Sequence, residues 1–331
     1  MRWRSNEGRR EPWRRYDGVL KMKTLLVGYK AADLTPQLLE GDVTCHVLDI
    51  YHRHAIEKVH HARVVCSPHL PEGPWDFVRF RTGPKLMSGE LALDLLQECH
   101  RVGRRVEVDF VGSERDRNDL LGKFRDRPGR RRCFRAEWPA SVPGGERLTF
   151  VSYPGCFCHR RLDEGGLALA EVVSREWAVG GSLRKGQGGS LRLLDMGCGC
   201  GLVGLLVAKR LQTPDFRPEL VLVDSHSRAV EAAQENAGRF GLPAEVILSD
   251  DGTPARMDGT FDVFVGNPPY YSDYRIAEVF LETARRALRP GGVCYTVVRN
   301  PACLKPVQER YFPSVAVVGR RGYGVLKSVK G

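Results

Sequence analysis

Residues 191–201, LRLLDMGCGCG, decide the fold of the second half of this chain. An apolar run of strand length leads into Asp195, and a helical pattern begins directly after the loop that follows it. Three glycines occupy alternate positions in this loop: Gly197, Gly199 and Gly201. Glycine permits a sharp turn between a strand and a helix and lets a ligand come close to the main chain. The first N–H groups of the helix face that ligand, so the stretch predicts a nucleotide-binding cradle.

The glycine loop on its own fits two kinds of nucleotide site. The pattern G-x-G-x-x-G over residues 199–204 is that of dinucleotide-binding folds, and Asp224 follows at the spacing expected for a residue that binds ribose hydroxyls. The pattern D-x-G-x-G-x-G, which begins at Asp195, resembles instead the loop of S-adenosylmethionine-dependent methyltransferases. A choice between the two kinds of site therefore needs a second motif.

Length and composition predict two folded domains and a polyanionic partner. The chain has 331 residues, 42% of them hydrophobic, and its 51 Lys and Arg against 40 Asp and Glu give a net charge of +11. A basic balance of this size suits nucleic acid as the partner. The first 20 residues contain six arginines and have no periodicity, so we expect a disordered basic extension there, with contact to RNA as the alternative.

Cysteine usage and hydropathy predict a cytoplasmic protein without a metal site. The ten cysteines include two C-x-C pairs, Cys156/Cys158 and Cys198/Cys200, whose spacing is not that of a zinc site. We therefore expect reduced thiols and no bound metal. No apolar run approaches the length of a membrane span, so we expect no membrane contact.

Strand and helix patterns recur in a similar order in the two halves of the chain. In the first half they are strands 24–28, 43–49, 75–80 and 105–112 and helices 34–39 and 88–100. In the second half they are strands 191–195, 220–224, 245–249, 261–265 and 292–298 and helices 202–211 and 276–288. This alternation predicts an α/β fold of two tandem Rossmann-like domains, residues 21–152 and residues 153–331.

The first of these domains lacks the residues that would carry chemistry. Its first strand is followed by residues 27–31, VGYKA, with one glycine, and residues 81–84, RTGP, stand where the second domain has NPPY. Residues 114–135 hold nine Lys and Arg against four acids, which suits either contacts to phosphates or a solvated loop. We therefore expect a degenerate copy of the fold that serves as an RNA-binding platform.

The second motif is FDVFVGNPPY, residues 261–270, at the end of a predicted strand. Ligands of doubly wound sheets bind at the carboxyl ends of the strands, so NPPY and the glycine loop share one crevice. Pro268 and Pro269 stiffen the main chain and leave only hydrogen-bond acceptors. The Asn267 side-chain oxygen and the Pro268 carbonyl can each accept one hydrogen of a planar NH₂ group, which frees the lone pair of its nitrogen. Tyr270 can stack on the attached base, so the motif favours N-methyl transfer over hydride transfer.

If the crevice binds S-adenosylmethionine, each of three predicted strands ends at an acidic residue that can contact this cofactor. Asp195 and the backbone of the glycine loop would face the methionine part of S-adenosylmethionine. Asp224 would accept both ribose hydroxyls, and Asp250 would accept the adenine amino group, with Asp251 as a nearly equal candidate.

From about residue 21 to the C-terminus, the chain resembles the two-domain bacterial ribosomal RNA guanine-N2 methyltransferases of the small-subunit and large-subunit types, which contain a "methyltransferase small" domain. The motifs that carry the resemblance are PGCF (154–157), LDEG (162–165), D-x-G-x-G-x-G (195–201), NPPY (267–270), LRPGG (288–292) and the tail 324–330. The sequence departs from the family where Tyr270, Tyr271 and Cys158 stand in place of the usual Phe, His and Ser.

The resemblance implies S-adenosylmethionine as the cofactor and ribosomal RNA or a ribosomal subunit as the partner. It implies catalytic roles for the NPPY residues Asn267, Pro268, Pro269 and Tyr270. It adds Asp163 to the cofactor-binding residues. We expect methylation of guanine N2, with protein glutamine N5 or adenine N6 as the alternative, since those enzymes share NPPY. A non-catalytic RNA-binding assembly factor is the second alternative, and no oligomeric state is predicted.

Overall fold

The computed structural model describes residues 22–125, 132–179, 191–269 and 274–331. Grouped by compactness, the chain forms two units. Unit 1 runs to Cys133, except for residues 49–51, which group with unit 2, and unit 2 continues from Phe134 to Gly331. The predicted basic extension and Tyr270 lie outside the described residues.

Unit 1 is built on a five-stranded parallel sheet with the strand order β3-β2-β1-β4-β5. The strands are β1 Lys23–Val27, β2 Asp42–Val47, β3 Arg63–Cys66, β4 Phe77–Thr82 and β5 Val106–Phe110. The α-helices are α1 Ile50–His60, α2 Gly89–Val102 and α3 Glu114–Arg125, and short 3-10 turns cover Ala31–Asp33 and Pro36–Leu39.

Alternate residues of strand β1 pack in two different hydrophobic cores. Leu25 and Val27 pack in the core that contains α2, whereas Leu26 packs in the core that contains Ile56 of α1.

Unit 2 contains a seven-stranded sheet with the order β10-β9-β8-β11-β12-β14-β13, preceded by the antiparallel hairpin of β6 Ala136–Ser141 and β7 Arg147–Ser152. The sheet strands are β8 Arg192–Met196, β9 Glu219–Asp224, β10 Ala244–Leu248, β11 Phe261–Gly266, β12 Leu288–Val298, β13 Ala316–Arg320 and β14 Tyr323–Val329. The helices are α4 Glu164–Val179, α5 Leu202–Leu211, α6 Ser227–Arg239, α7 Arg275–Ala287 and α8 Pro301–Glu309.

The order of the strands places a crevice at the carboxyl ends of β8 and β11. The chain leaves β8 through α5 toward β9 on one side, while β11 lies on the other side of β8. Such a reversal of strand order opens the ligand crevice of doubly wound sheets. In the register of this pair, Met196 of β8 lies beside Gly266 of β11. The glycine loop and the NPP segment therefore begin on neighbouring strands at the same edge of the sheet.

The α/β fold with parallel sheets is confirmed, and several elements were not predicted. Helix α3 occupies part of the basic stretch 114–135, and it begins where the Ser113 hydroxyl accepts a hydrogen bond from the Asp116 N–H at 3.1 Å. Helix α8 starts at Pro301 after the cap residue Asn300 and contains a further proline. Within the described ranges, no helix is long and apolar enough to cross a membrane.

The division into units differs from the predicted boundary after residue 152 by one hairpin. Strand β7 is tied to unit 2 by Asn236 of α6, whose side chain accepts from the Val151 N–H at 2.7 Å and donates to the Val151 carbonyl at 2.9 Å. Since β6 pairs with β7 along its whole length, the hairpin groups with the second unit.

Candidate active site

The glycine loop adopts a backbone that side chains rarely allow. Gly197, Gly199 and Gly201 have φ values of 67°, 56° and 85°. A Cβ on Gly197 would lie 2.6 Å from the ring of Phe280, and one on Gly201 would lie 2.7 Å from Leu205. A Cβ on Gly199 would meet nothing within 4 Å. The outer glycines therefore allow close packing, whereas the middle one borders open space where a ligand can approach.

The carboxylate of Asp195 binds the first turn of α5, directly after the glycine loop. Its side chain is 1% exposed, and its Oδ2 accepts a hydrogen bond from the Gly204 N–H at 2.8 Å. Burial raises the pKa of this carboxyl to about 7, and the nearby carboxyls of Asp224 and Asp163 add to the rise. A Cβ on Gly204 would lie 2.8 Å from Leu222, so this glycine serves packing between the helix and the strand.

Asp224, at the end of β9, binds the loop from the side. Its Oδ2 accepts from the Gly199 N–H at 2.8 Å, and its Oδ1 accepts from the His226 N–H at 2.9 Å. Burial raises the pKa of Asp224 to about 6, although these hydrogen bonds oppose the rise. Each carboxylate oxygen has a second lone pair, so Asp224 can still accept hydrogen bonds from a ligand.

Asp163 connects the start of α4 with the NPP segment. Its Oδ2 accepts from the Asn267 side-chain nitrogen at 2.8 Å, and its Oδ1 accepts from the Gly165 N–H at 3.1 Å. Burial raises the pKa of Asp163, while these hydrogen bonds lower it. A Cβ on Gly166 would lie 2.6 Å from Asp163 Oδ2, so the glycine at this position leaves room for the carboxylate. Because a carboxylate can only accept, this bond turns the nitrogen of the Asn267 amide toward Asp163 and its oxygen away from it.

The NPP segment follows directly from a strand that is buried along its whole length. All six residues of β11 are buried, Pro268 is buried as well, and Asn267 and Pro269 are half-buried. Two successive prolines have no N–H to donate, so the main chain here offers carbonyl oxygens only. Tyr270, the fourth residue of the predicted motif, lies outside the described residues.

The three carboxyl groups of Asp163, Asp195 and Asp224 form an acidic cluster around the glycine loop. Burial and neighbouring carboxylates raise their pKa values, and no Lys or Arg is among the main groups that act on them. The cluster therefore favours a positively charged ligand. Among the described residues, no group of three His, Cys, Asp or Glu side chains could hold a metal ion, and all ten cysteines are free thiols.

Asp250 and Asp251 both lie in the loop that follows β10. Asp250 is half-buried, whereas Asp251 is exposed and its carboxylate accepts from the Ser249 hydroxyl at 2.7 Å. The Ser249 N–H donates to the carbonyl of Asp224 at 3.0 Å, which joins this loop to the end of β9. Both acids remain candidates for the predicted contact to adenine.

Two residues of α6 that the sequence did not single out also shape the site. The Asn236 side chain, 0% exposed, donates to the Cys200 carbonyl at 2.9 Å, so it fastens the glycine loop to strand β7. Arg228 is 2% exposed and donates to the Pro154 carbonyl at 3.2 Å. Polar residues on an amphipathic helix are ordinarily solvated, and no pattern in the sequence distinguished these two.

The corresponding edge of unit 1 has no glycine cradle. Gly28 follows its first strand, and a Cβ at this position would lie 2.5 Å from the Arg81 carbonyl. Arg81 bridges Asp33 at 3.0 Å and Asp109 at 2.7 Å, and the Tyr29 hydroxyl donates to Asp109 at 3.2 Å. Tyr29, Asp33 and Asp109 line a cavity of about 500 Å³ together with Arg79, Glu107 and Arg117.

Residues 147–327 match the sequence profile of the methyltransferase small domain. The match covers more than half of the chain, so the chain belongs to this family, as the resemblance in its motifs implied.

Curated relatives of the chain include enzymes of both ribosomal subunits. It is 31% identical over 191 residues to ribosomal RNA small subunit methyltransferase C of Stutzerimonas stutzeri, which covers 56% of this chain and 52% of the relative. It is 32% identical over 206 residues to ribosomal RNA large subunit methyltransferase G of Streptomyces griseus, which covers 60% of this chain and 49% of the relative. The chain thus spans about half the length of the curated relatives that it matches.

Among solved structures, the chain is similar to the T. thermophilus 16S rRNA N2 G1207 methyltransferase in complex with AdoMet and guanosine. The TM-score is 0.74 with 19% sequence identity, and the likeness covers 98% of this chain and 90% of that chain. At this identity the likeness establishes the fold, and it extends over both units.

Proposed function

We propose that the protein is an S-adenosylmethionine-dependent methyltransferase that methylates guanine N2 of ribosomal RNA. The observation that carries the proposal is the hydrogen bond between Asn267 and Asp163, beside a glycine loop on the paired strand. Adjacent strands lie about 5 Å apart, so a cofactor in the loop and an amine at Asn267 would be close neighbours. The names of the relatives point to ribosomal RNA as the class of substrate, and the net charge of +11 agrees with an RNA substrate.

The residues of the crevice fit this cofactor. It is cationic at its sulfonium and amino groups, which matches the acidic cluster of Asp163, Asp195 and Asp224. The backbone of the glycine loop would lie against its methionine part, and Asp224 would accept from its ribose hydroxyls. Asp250 or Asp251 would accept from its adenine amino group. When bound, the cofactor supplies a methyl group on a positively charged sulfur, ready for attack by a nucleophile.

The protein's own contribution is to hold the amine. The Asn267 amide oxygen and the Pro268 carbonyl would each accept one hydrogen of the guanine NH₂ group, and this draws its nitrogen toward tetrahedral geometry. Asp163 would keep the Asn267 side-chain amide from flipping by about 180°, because its carboxylate can accept only from the nitrogen end of the amide. Positioning of this kind supplies much of the rate enhancement without a strong general base. Tyr270 would stack on the base, and unit 1 would serve as a platform for RNA.

Transfer of labelled methyl from S-adenosylmethionine to ribosomal RNA tests the proposal. We expect label in RNA isolated from cells that lack the protein, and N2-methylguanosine after digestion to nucleosides. Label in N6-methyladenosine would show that the substrate is adenine N6, and label in a release factor would show that it is a protein glutamine. A protein that neither binds the cofactor nor transfers label would be an RNA-binding assembly factor instead.

A further inference from the structure

All thirteen phenylalanines lie in the part of the chain that the structure describes, and Phe157 is the one among them whose side chain is exposed. It is 66% exposed, while the other twelve phenylalanines are buried or half-buried. It belongs to the loop 154–161, which leads from the end of β7 toward α4. The ring contributes nothing to packing in the core, so its face remains available to a partner.

The loop that carries Phe157 is fixed by hydrogen bonds on both sides of the ring. The Cys156 N–H donates to the Tyr153 carbonyl at 3.1 Å, and the His159 N–H donates to the Cys156 carbonyl at 3.2 Å. The buried Arg228 holds the carbonyl of Pro154. An aromatic side chain on a fixed backbone loses little conformational freedom when a partner binds, which is the property of a recognition residue.

The backbone of this loop is also strained. Cys158 and Arg160 have φ values of 53° and 66°, in the left-handed region that residues other than glycine seldom adopt. Strain of this kind persists where the surrounding contacts impose it, and it is found preferentially at functional sites. The contacts that impose it here are those of the Arg160 N–H and the His159 ring with the Ser152 hydroxyl.

The loop lies beside the predicted position of the target amine. Burial raises the pKa of the Cys158 thiol, the residue directly after Phe157, and the negative charge of the nearby Asp163 adds to the rise. Asp163 in turn holds the side chain of Asn267. Two exposed arginines, Arg160 and Arg161, complete the loop. An exposed aromatic ring next to cations is the arrangement with which proteins bind single-stranded nucleic acid.

We propose that the Phe157 ring stacks on a nucleobase of the RNA substrate at the entrance to the active site, and that Arg161 binds a phosphate of the same segment. The inference rests on the proposed function and adds a recognition element to it. Stacking on a base is tolerant of sequence, so Phe157 strengthens binding of an unpaired segment without selecting the base. Loss of one such stacking contact weakens binding about tenfold.

Three variants of one residue test the stacking. We expect Phe157→Ala to raise the KM for ribosomal RNA about tenfold, with the KM for S-adenosylmethionine unchanged. Phe157→Tyr should restore the wild-type KM, whereas Phe157→Leu should not, because leucine is apolar but has no aromatic face. Val317→Ala removes another exposed apolar side chain, 44% exposed in β13, and serves as the control without effect.

A binding measurement separates this inference from the proposed function. The probe is a single-stranded RNA of about twelve nucleotides with 2-aminopurine, whose fluorescence is quenched when it stacks on an aromatic ring. We expect wild-type protein and Phe157→Tyr to quench it, and Phe157→Ala not to, at RNA concentrations that saturate each protein. Equal quenching by Phe157→Ala, or equal rescue by Leu and Tyr, would overturn the inference even if transfer to RNA is found. Absence of methyl transfer by wild-type protein would instead count against the proposed function.

Discussion

The side-chain nitrogen of Asn267 donates to the carboxylate of Asp163 across 2.8 Å, although the two residues are 104 positions apart in the chain. The bond joins the residue after β11 to the residue before α4. An asparagine amide has a donor end and an acceptor end, and a carboxylate can pair with the donor end only. The relationship therefore fixes the orientation of the Asn267 amide, with its nitrogen toward Asp163 and its oxygen away from it.

Asn267→Ala should strongly lower the kcat of methyl transfer while cofactor binding stays nearly unchanged. The variant loses an acceptor for the amine, and loss of one such preorganised hydrogen-bonding group costs about a hundredfold or more in kcat. Single-turnover transfer and calorimetric titration with S-adenosylmethionine measure the two quantities separately. A parallel loss of cofactor affinity would contradict the role assigned to Asn267.

Asp163→Asn should lower kcat about tenfold, since an asparagine can offer only one oxygen where the carboxylate offers two. The effect should vanish in the background of Asn267→Ala, because the partner that Asp163 positions is then missing. Kinetics of the four proteins in this double-mutant cycle provide the measurement. Additive losses would mean that the two residues act independently.

Asp224→Ala should weaken cofactor binding before it affects the chemical step. The change removes the acceptor for the ribose hydroxyls and the contacts to the Gly199 and His226 N–H groups. A charge-assisted hydrogen bond of this kind contributes about 1.5–3 kcal/mol, so we expect a Kd for S-adenosylmethionine roughly tenfold to a hundredfold higher. Asp215→Asn, at an exposed position after α5, is the matched control. Unchanged affinity in Asp224→Ala would remove it from the cofactor site.

Asp195→Asn should make the protein more stable at alkaline pH. Burial raises the pKa of Asp195 to about 7, whereas the unfolded chain has the ordinary value of about 4. Between these values the folded protein keeps a proton that the unfolded chain has released, so the free energy of unfolding falls as the pH rises. The amide removes this dependence and can still accept from the Gly204 N–H.

Thermal unfolding of wild type and Asp195→Asn between pH 4 and pH 8 measures this difference in Tm. The gain of the variant should be largest at pH 8 and should shrink toward pH 4. The other titrating groups near Asp195 are the carboxyls of Asp224 and Asp163, which both proteins retain. A gain that does not change with pH would show that the Asp195 carboxyl is not the cause.

Gly166→Ala should reduce kcat, although Gly166 itself has no proposed contact with the cofactor or the substrate. Its new Cβ would lie 2.6 Å from Asp163 Oδ2, so the carboxylate must move away from Asn267. Gly238→Ala is the matched control, since a Cβ at that position in α6 meets nothing within 4 Å. The control should gain about 0.5–1 kcal/mol in unfolding free energy from the helix propensity of alanine, with normal activity. Normal kcat in Gly166→Ala would show that Asp163 tolerates the displacement.

Sequence patterns were enough to predict those elements whose own residues show a clear apolar period or turn pattern. The run from Asp195 into α5 was predicted within a residue, because apolar period and glycine spacing coincide there. The short strand β3 and the polar helix α1 were missed, since neither has a strong apolar period.

The sequence singled out the residues of the candidate site, but it could not predict the contacts among them. The position of Asp163 beside Asn267 depends on how α4 packs, and no local pattern encodes it. For the same reason, the buried Arg228 and Asn236 look like ordinary surface residues of α6 in the sequence. The assignment of Tyr270 to the stacking position stays a prediction.

The arrangement around Arg81 limits what could be engineered into unit 1. Copying the glycine-rich turn of unit 2 after β1 would replace Tyr29, which is 2% exposed and donates to Asp109. The graft would leave a cavity where the phenol ring stood and would disturb the neighbouring ion pairs of Arg81 with Asp33 and Asp109. A protein redesigned in this way would lose stability before it acquired a second cofactor site. Exchange of this one loop is therefore not enough to give unit 1 the glycine cradle of unit 2.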